Sequence, residues 1–221
     1  MPSPPTPWVV SKFGGTSVSS AADWATIAEV VAQHREAGRR PFLVCSALEG
    51  VSDQLEALCG APAGDPPPEP HRDATLQALR DRHWALAEAL GVSAEEVLGA
   101  PFERLAQQVR ECTAGEDGPT PAQQAAVLSA GELLSSRLGA AALSARGVPV
   151  RWLDARQFLR ATEDPHTPPR RRYLAATCTA PPDRGLQAHL ADAPEAVCLT
   201  QGFIASNALD ETVLLGRGGS D

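Results

Sequence analysis

One lysine occurs in this 221-residue chain, Lys12, and every other basic residue outside the histidines is arginine. It follows a short apolar run, Trp8-Val9-Val10-Ser11, and precedes Phe13-Gly14-Gly15-Thr16-Ser17. A strand that runs into glycines and hydroxyls just ahead of a helix makes an anion site. Glycine accepts positive φ and bares the backbone, and the first helical amides with the helix dipole favour negative charge. An ammonium on a flexible stem suits a moving phosphoryl group, whereas guanidinium is a rigid fork. Taken alone, Lys-Phe-Gly-Gly fits an ordinary surface lysine beside a turn equally well. The far end repeats the pattern: Val213-Leu214-Leu215 runs into Gly216-Arg217-Gly218-Gly219-Ser220-Asp221.

Three further stretches lie between. Val44-Cys45-Ser46-Ala47 with Gly50-Val51-Ser52 reads as a strand leaving through a loop into a helix, where α/β proteins place ligand contacts; Ser46 and Ser52 also fit helix caps. Gly131-Glu132-Leu133-Leu134-Ser135 sits inside a helical pattern, where glycine costs about 1 kcal/mol relative to alanine. That cost points to a close approach at Gly131, with Glu132 beside it facing a ligand, and a solvated helix glutamate is the competing reading. Thr200-Gln201-Gly202-Phe203-Ile204 leaves a buried strand, and Phe203 fits plain core almost as well as a ligand contact.

Periodicity supplies the elements that must position these residues. Strands are predicted at about 8–12, 41–45, 148–153, 196–200 and 213–215, with a further one over Arg172 to Thr179. Helices are predicted at about 19–37, 52–59, 72–90, 94–112 and 186–190, and one long helix over Pro121 to Arg146. Asp154 caps a short helix through Leu159. The proline-rich and glycine-rich stretch Ala61 to Pro70 is a break, the segments at 72–112 form a helical hairpin, and Asn207 to Asp210 turn into the last strand. Strands alternating with helices imply a parallel, helix-covered sheet.

A formal charge of -8 argues against a nucleic-acid footprint, and no basic run with interleaved aromatics occurs. The five cysteines are widely spaced with no Cys-x-x-Cys pair, which fits free thiols in a reducing cytoplasm and supplies no zinc site. No stretch has membrane-spanning length, and residues 1–7 read as a disordered leader without a signal peptide's basic and apolar regions.

Lys12-Phe13-Gly14-Gly15-Thr16-Ser17 and Gly216-Arg217-Gly218-Gly219-Ser220-Asp221, with the three intermediate stretches in order, resemble the signatures of the aspartokinases of the amino-acid kinase superfamily. The resemblance implies a three-layer α/β/α sandwich of the carbamate kinase-like kind, with a mostly parallel sheet, here truncated. It implies transfer of the ATP γ-phosphoryl to the β-carboxylate of L-aspartate, with Mg²⁺ carried on the nucleotide and no nucleic-acid or membrane partner. Lys12 with Gly14, Gly15, Thr16 and Ser17 would bind the phosphates. Arg217 would grip a substrate carboxylate and Glu132 the ammonium. Ser46, Ser52, Phe203, Gly219 and Ser220 would complete the pocket, and Asp221 would orient Lys12 or the reacting groups. An ionised carboxylate acceptor needs no general base, so positioning and charge neutralisation suffice.

Two departures from the family pattern are mild: Ser52 stands for the usual threonine, and Leu214 for the threonine before the leucine of Leu215-Gly216. Residues 8–221 are thus expected to be the amino-terminal, amino-acid-binding part of such a kinase, inactive alone. The nucleotide lobe and regulatory domains would be absent, a sheet edge exposed, and the full-length protein a homo-oligomer. The Trp-Val-Val-Ser-Lys start is similar to aspartokinases fused to diaminopimelate decarboxylase. Alternatives are a sister kinase acting on glutamate, acetylglutamate or UMP, and a non-catalytic amino-acid-binding module. A dinucleotide-binding oxidoreductase would need Gly-x-Gly-x-x-Gly spacing, which neither glycine cluster has.

Overall fold

The structure, a computed structural model, describes residues 7–59, 67–114, 118–162, 164, 166–178, 184–191 and 197–216. Of the proposed leader only Pro7 is among them. Four parallel strands form the central sheet in the order β1 (Trp8–Phe13), β2 (Arg40–Cys45), β4 (Val197–Gln201), β3 (Val150–Trp152). The register places Lys12 beside Val44 and Val44 beside Thr200, then Phe13 beside Cys45 and Cys45 beside Gln201. Side chains alternate across a strand, so Lys12, Val44 and Thr200 share one face and Phe13, Cys45 and Gln201 the other.

Helix α1 (Ala21–Glu36) and helix α6 (Ala130–Ala145) cover the Phe13 face. A reciprocal capping box starts α1: the Asp23 amide donates to the Ser20 hydroxyl at 3.1 Å, and the Ser20 amide donates to the Asp23 carboxylate at 2.9 Å. Trp24, Ile27 and Val31 form its buried stripe. The Trp24 indole donates to the Val18 carbonyl at 2.9 Å and lies on Gly139 of α6 so closely that a Cβ there would stand 1.8 Å from the ring. The opposite face is covered by α8 (Arg184–Ala191), where Leu186 and Leu190 pack with Phe42, Leu153 and Cys198. Two helical layers thus flank the sheet.

Helices α2 (Val51–Cys59), α3 (Glu69–Leu90), α4 (Ala94–Cys112) and α5 (Pro121–Leu128) join β2 to α6. Gly91, at φ 72°, ends α3, and Ser93 caps α4. Helix α7 (Pro169–Leu174) and the antiparallel pair β5 (Ile204–Ser206) and β6 (Thr212–Leu214) pack with α5 into smaller apolar clusters.

Four expectations change. The single helix over Pro121 to Arg146 is two, meeting at Ser129, whose hydroxyl donates to the Ala126 carbonyl and competes with the helical ladder. The strand expected over Arg172 to Thr179 does not form among the described residues 172–178: α7 takes the first of them, since Pro168 and Pro169 start a helix well, and isolated bridges follow at Ala176 and Cys178. The last strand lies outside the parallel sheet, because the turn after β5 folds it back antiparallel in a second sheet. Helix α3 begins at Glu69, inside the predicted break, with Pro70 in its first turn, where proline forfeits no hydrogen bond.

Candidate functional site

The carboxyl ends of β1, β2 and β4 open on one edge of the sheet. The ladder continues one residue past the strands: the Ser46 amide donates to the Phe13 carbonyl and the Gly202 amide to the Cys45 carbonyl, both at 3.0 Å. Gly14, Ser46 and Gly202 therefore emerge side by side.

Ala47 is where the distant stretches meet. A Cβ on Gly15 would stand 2.9 Å from the Ala47 carbonyl oxygen and 3.1 Å from the Glu49 nitrogen, so the glycine loop lies directly on the loop after β2. Ser19 ties the two together, donating to the Gly15 carbonyl at 2.7 Å and accepting from the Glu49 amide at 2.9 Å. From the other side comes α6. A Cβ on Gly131 would stand 2.8 Å from the Ala47 Cβ and 3.2 Å from Val51 and Leu55, which is the close approach that a mid-helix glycine pointed to.

Glu132 follows, 3 % exposed, with Oε1 accepting from the Ala47 amide at 3.4 Å. Its Oε2 is buried with no hydrogen-bond partner among the described residues. Burial raises its pKa to about 7, opposed by backbone hydrogen bonds. A buried carboxylate with one oxygen unused is poised to receive a cationic group.

Thr16 and Ser17 lie in the exposed turn Gly15–Ser17 that leads toward α1. The space where a Gly14 side chain would project is open. Lys12 is exposed, on the sheet face opposite α6. Ser46 is half-buried at the strand exit. Ser52 is half-buried inside α2, one residue past its start, so it does not cap that helix.

Phe203 takes φ 65°, a left-handed conformation that a bulky residue adopts only under constraint, and packs with Ala125, Ile204 and Leu214. Arg217, Gly219, Ser220 and Asp221 lie outside the described residues, and Gly216 is the last residue of that stretch to be described.

Two contributors carried no clear sequence signal. Ser19 stands at the start of the helix predicted at about 19–37, and its bridge depends on a loop 30 residues away. Thr200 shares the Lys12 face and buries a hydroxyl that lacks a partner among the described residues. A threonine inside an apolar strand reads as ordinary β propensity. Among the described residues no cluster of three or more His, Cys, Asp or Glu could hold a metal ion, and no helix is long and apolar enough to cross a membrane.

The amino acid kinase family model matches residues 7–221. Aspartokinase from Chlamydia trachomatis is 33% identical over 222 residues, covering 96% of this chain and 44% of that protein. Lysine-sensitive aspartokinase 3 from Escherichia coli is also 33% identical, over 221 residues, with the same coverage of both. Aspartokinase III from Escherichia coli, solved in complex with aspartate and ADP, superposes with a TM-score of 0.75 at 30% identity, covering 97% of this chain and 44% of that one. The chain therefore spans under half the length of the relatives it matches.

Proposed function

Because this chain belongs to the amino acid kinase family, we propose that it carries the aspartate-binding part of an aspartokinase. The reaction is transfer of the ATP γ-phosphoryl group to the β-carboxylate of L-aspartate, giving 4-phospho-L-aspartate and ADP. The observation that carries this reading is Glu132, buried at the junction of the glycine loop and the loop after β2 with one oxygen unpartnered.

In this reading the ionised Glu132 receives the substrate ammonium, and the carboxyl edge around Ser46, Ser52 and Phe203 shapes the pocket. The β-carboxylate is ionised at neutral pH and attacks the γ-phosphorus directly, and the bond to the oxygen bridging the β and γ phosphates breaks as ADP leaves. Lys12 with the Gly14 to Ser17 loop neutralises charge on the transferring oxygens. Arg217 holds a substrate carboxylate, Gly219 and Ser220 line the site, and Asp221 orients Lys12. Mg²⁺ arrives with the nucleotide. Five free cysteines accord with a reducing cytoplasm, and copies of the full-length protein assemble with one another.

Titration of this chain with L-aspartate and with succinate tests the reading. L-aspartate binding should weaken at least tenfold in Glu132→Gln, an effect of about 1.4 kcal/mol, while succinate, which has no ammonium, should be indifferent to the change. Equal losses for both ligands would remove Glu132 from the ammonium role. In the full-length context, hydroxamate trapping of aspartyl phosphate should fall at least a hundredfold in Lys12→Ala, and unchanged turnover would refute the assignment.

A further inference from the structure

A cavity of about 330 Å³ lies between α4, α6 and the turn after β3. Leu133, Leu134 and Pro101 contribute apolar walls, and Arg104, Arg137 and Arg156 bring guanidinium groups to it from three separate elements. It is distinct from the site above, because Leu133, Leu134 and Arg137 leave α6 on sides other than the one on which Glu132 meets Ala47.

The three arginines are not equivalent. Arg156 is spoken for: it holds Asp154 through Nε at 2.9 Å and Nη2 at 2.6 Å, and donates to the Thr212 hydroxyl at 3.1 Å. Arg137 is stacked 3.9 Å over the Trp152 ring, whose own nitrogen is fixed by a 3.0 Å bond to the Ser136 hydroxyl. The stack holds the guanidinium plane in place, yet its Nε is buried with no partner among the described residues. Burial holds the Arg137 pKa below its usual value, Asp154 opposes this, and the charges of Arg156 and Arg104 add to it. Arg104 is exposed on α4 and has no ion-pair partner among the described residues.

Like charges gathered around one cavity are relieved by an oxyanion, and a planar guanidinium takes a carboxylate bidentately. The cavity falls in the size range of small-molecule sites, and its apolar walls reward a hydrocarbon body. We propose that this cavity binds a small organic carboxylate, its oxygens held by Arg137 and Arg104 and its apolar body lying against Leu133, Leu134 and Pro101. Glu96, exposed on the same lining, disfavours ligands with more than one negative charge and so selects against inorganic phosphate.

Calorimetric titration of this chain with 4-methylpentanoate and, separately, inorganic phosphate, in a buffer free of other carboxylates, tests the proposal. The carboxylate should bind saturably at one site, weaken at least tenfold in Arg137→Gln and in Arg104→Gln, and be unaffected by Glu132→Gln. Arg104 is exposed, so its variant keeps the test valid if Arg137→Gln does not fold, as judged by far-UV circular dichroism. No saturable binding, binding retained in Arg104→Gln, or phosphate bound as tightly as the carboxylate would each overturn it.

Discussion

Glu132 is held out of water with one oxygen unpartnered, and that has a consequence for stability as well as for binding. Its pKa stands at about 7 in the folded chain, above the ordinary carboxylate value of 4.5, because burial disfavours the charged form. The folded state therefore holds this proton to higher pH than the unfolded state does. Stability from this group is intact below the ordinary carboxylate range and is lost as pH rises through about 7, by roughly 3 kcal/mol in all. Glu132→Gln should accordingly be more stable than the parent at about pH 8.5 and nearly equal to it at about pH 4, as read from urea unfolding at both values. Binding runs the other way. An ammonium ligand takes the ionised form, so L-aspartate affinity should rise with pH up to about 7 and then level off, measured by titration across that range.

At the scale of elements, glycines decide where helices and loops can touch. Gly139 lets α6 lie against the Trp24 ring, and the ring, fixed by its bond to Val18, has nowhere to go. Gly139→Ala should cost about 3 kcal/mol and lower the melting temperature by roughly 10 °C in calorimetry. Gly14 is the contrast: its surroundings are open, so Gly14→Ala should change stability by less than about 0.5 kcal/mol while still crowding the proposed phosphate approach. Thiol reactivity reports on packing in the same way. Cys59 and Cys112 bury their sulfurs 3.4 Å apart where α2 and α4 end, burial pushes the Cys45 thiol up to about 12, and Cys178 is the half-exposed one. Native titration with a chromogenic disulfide should therefore show one fast thiol, lost in Cys178→Ser.

Across the whole molecule, the two sheet faces are unequally covered. The α6 face carries the main apolar core, whereas on the other face Val10 is 68 % exposed and Trp8 36 % exposed, with Arg40 stacked on the Trp8 ring at 3.9 Å. Among the described strands β1 pairs with β2 alone and β3 with β4 alone, so both are edges of the four-stranded sheet. Apolar side chains along such an edge favour association between copies. Val10→Thr should reduce light scattering at high concentration and leave the unfolding midpoint within about 0.5 kcal/mol of the parent.

The chain's residues by themselves determined the alternation of strands and helices, the glycine corners, the resemblance they carry and the significance of Gly131, because periodicity and conformational freedom are local properties. The tertiary structure decided what no window of sequence contains. Helix 121–146 breaks at Ser129, where a side chain competes for a carbonyl, and residues 204–214 fold back as a separate antiparallel pair, since strand pairing is set by packing partners far along the chain. It also decided that Gly15, Glu49, Gly131 and Glu132 converge on Ala47, and that Arg104, Arg137 and Arg156, which look like solvated helix and loop charges one at a time, share a cavity. A single residue's type limits what it can do; burial and neighbours, which only the folded chain supplies, decide which of those things it does.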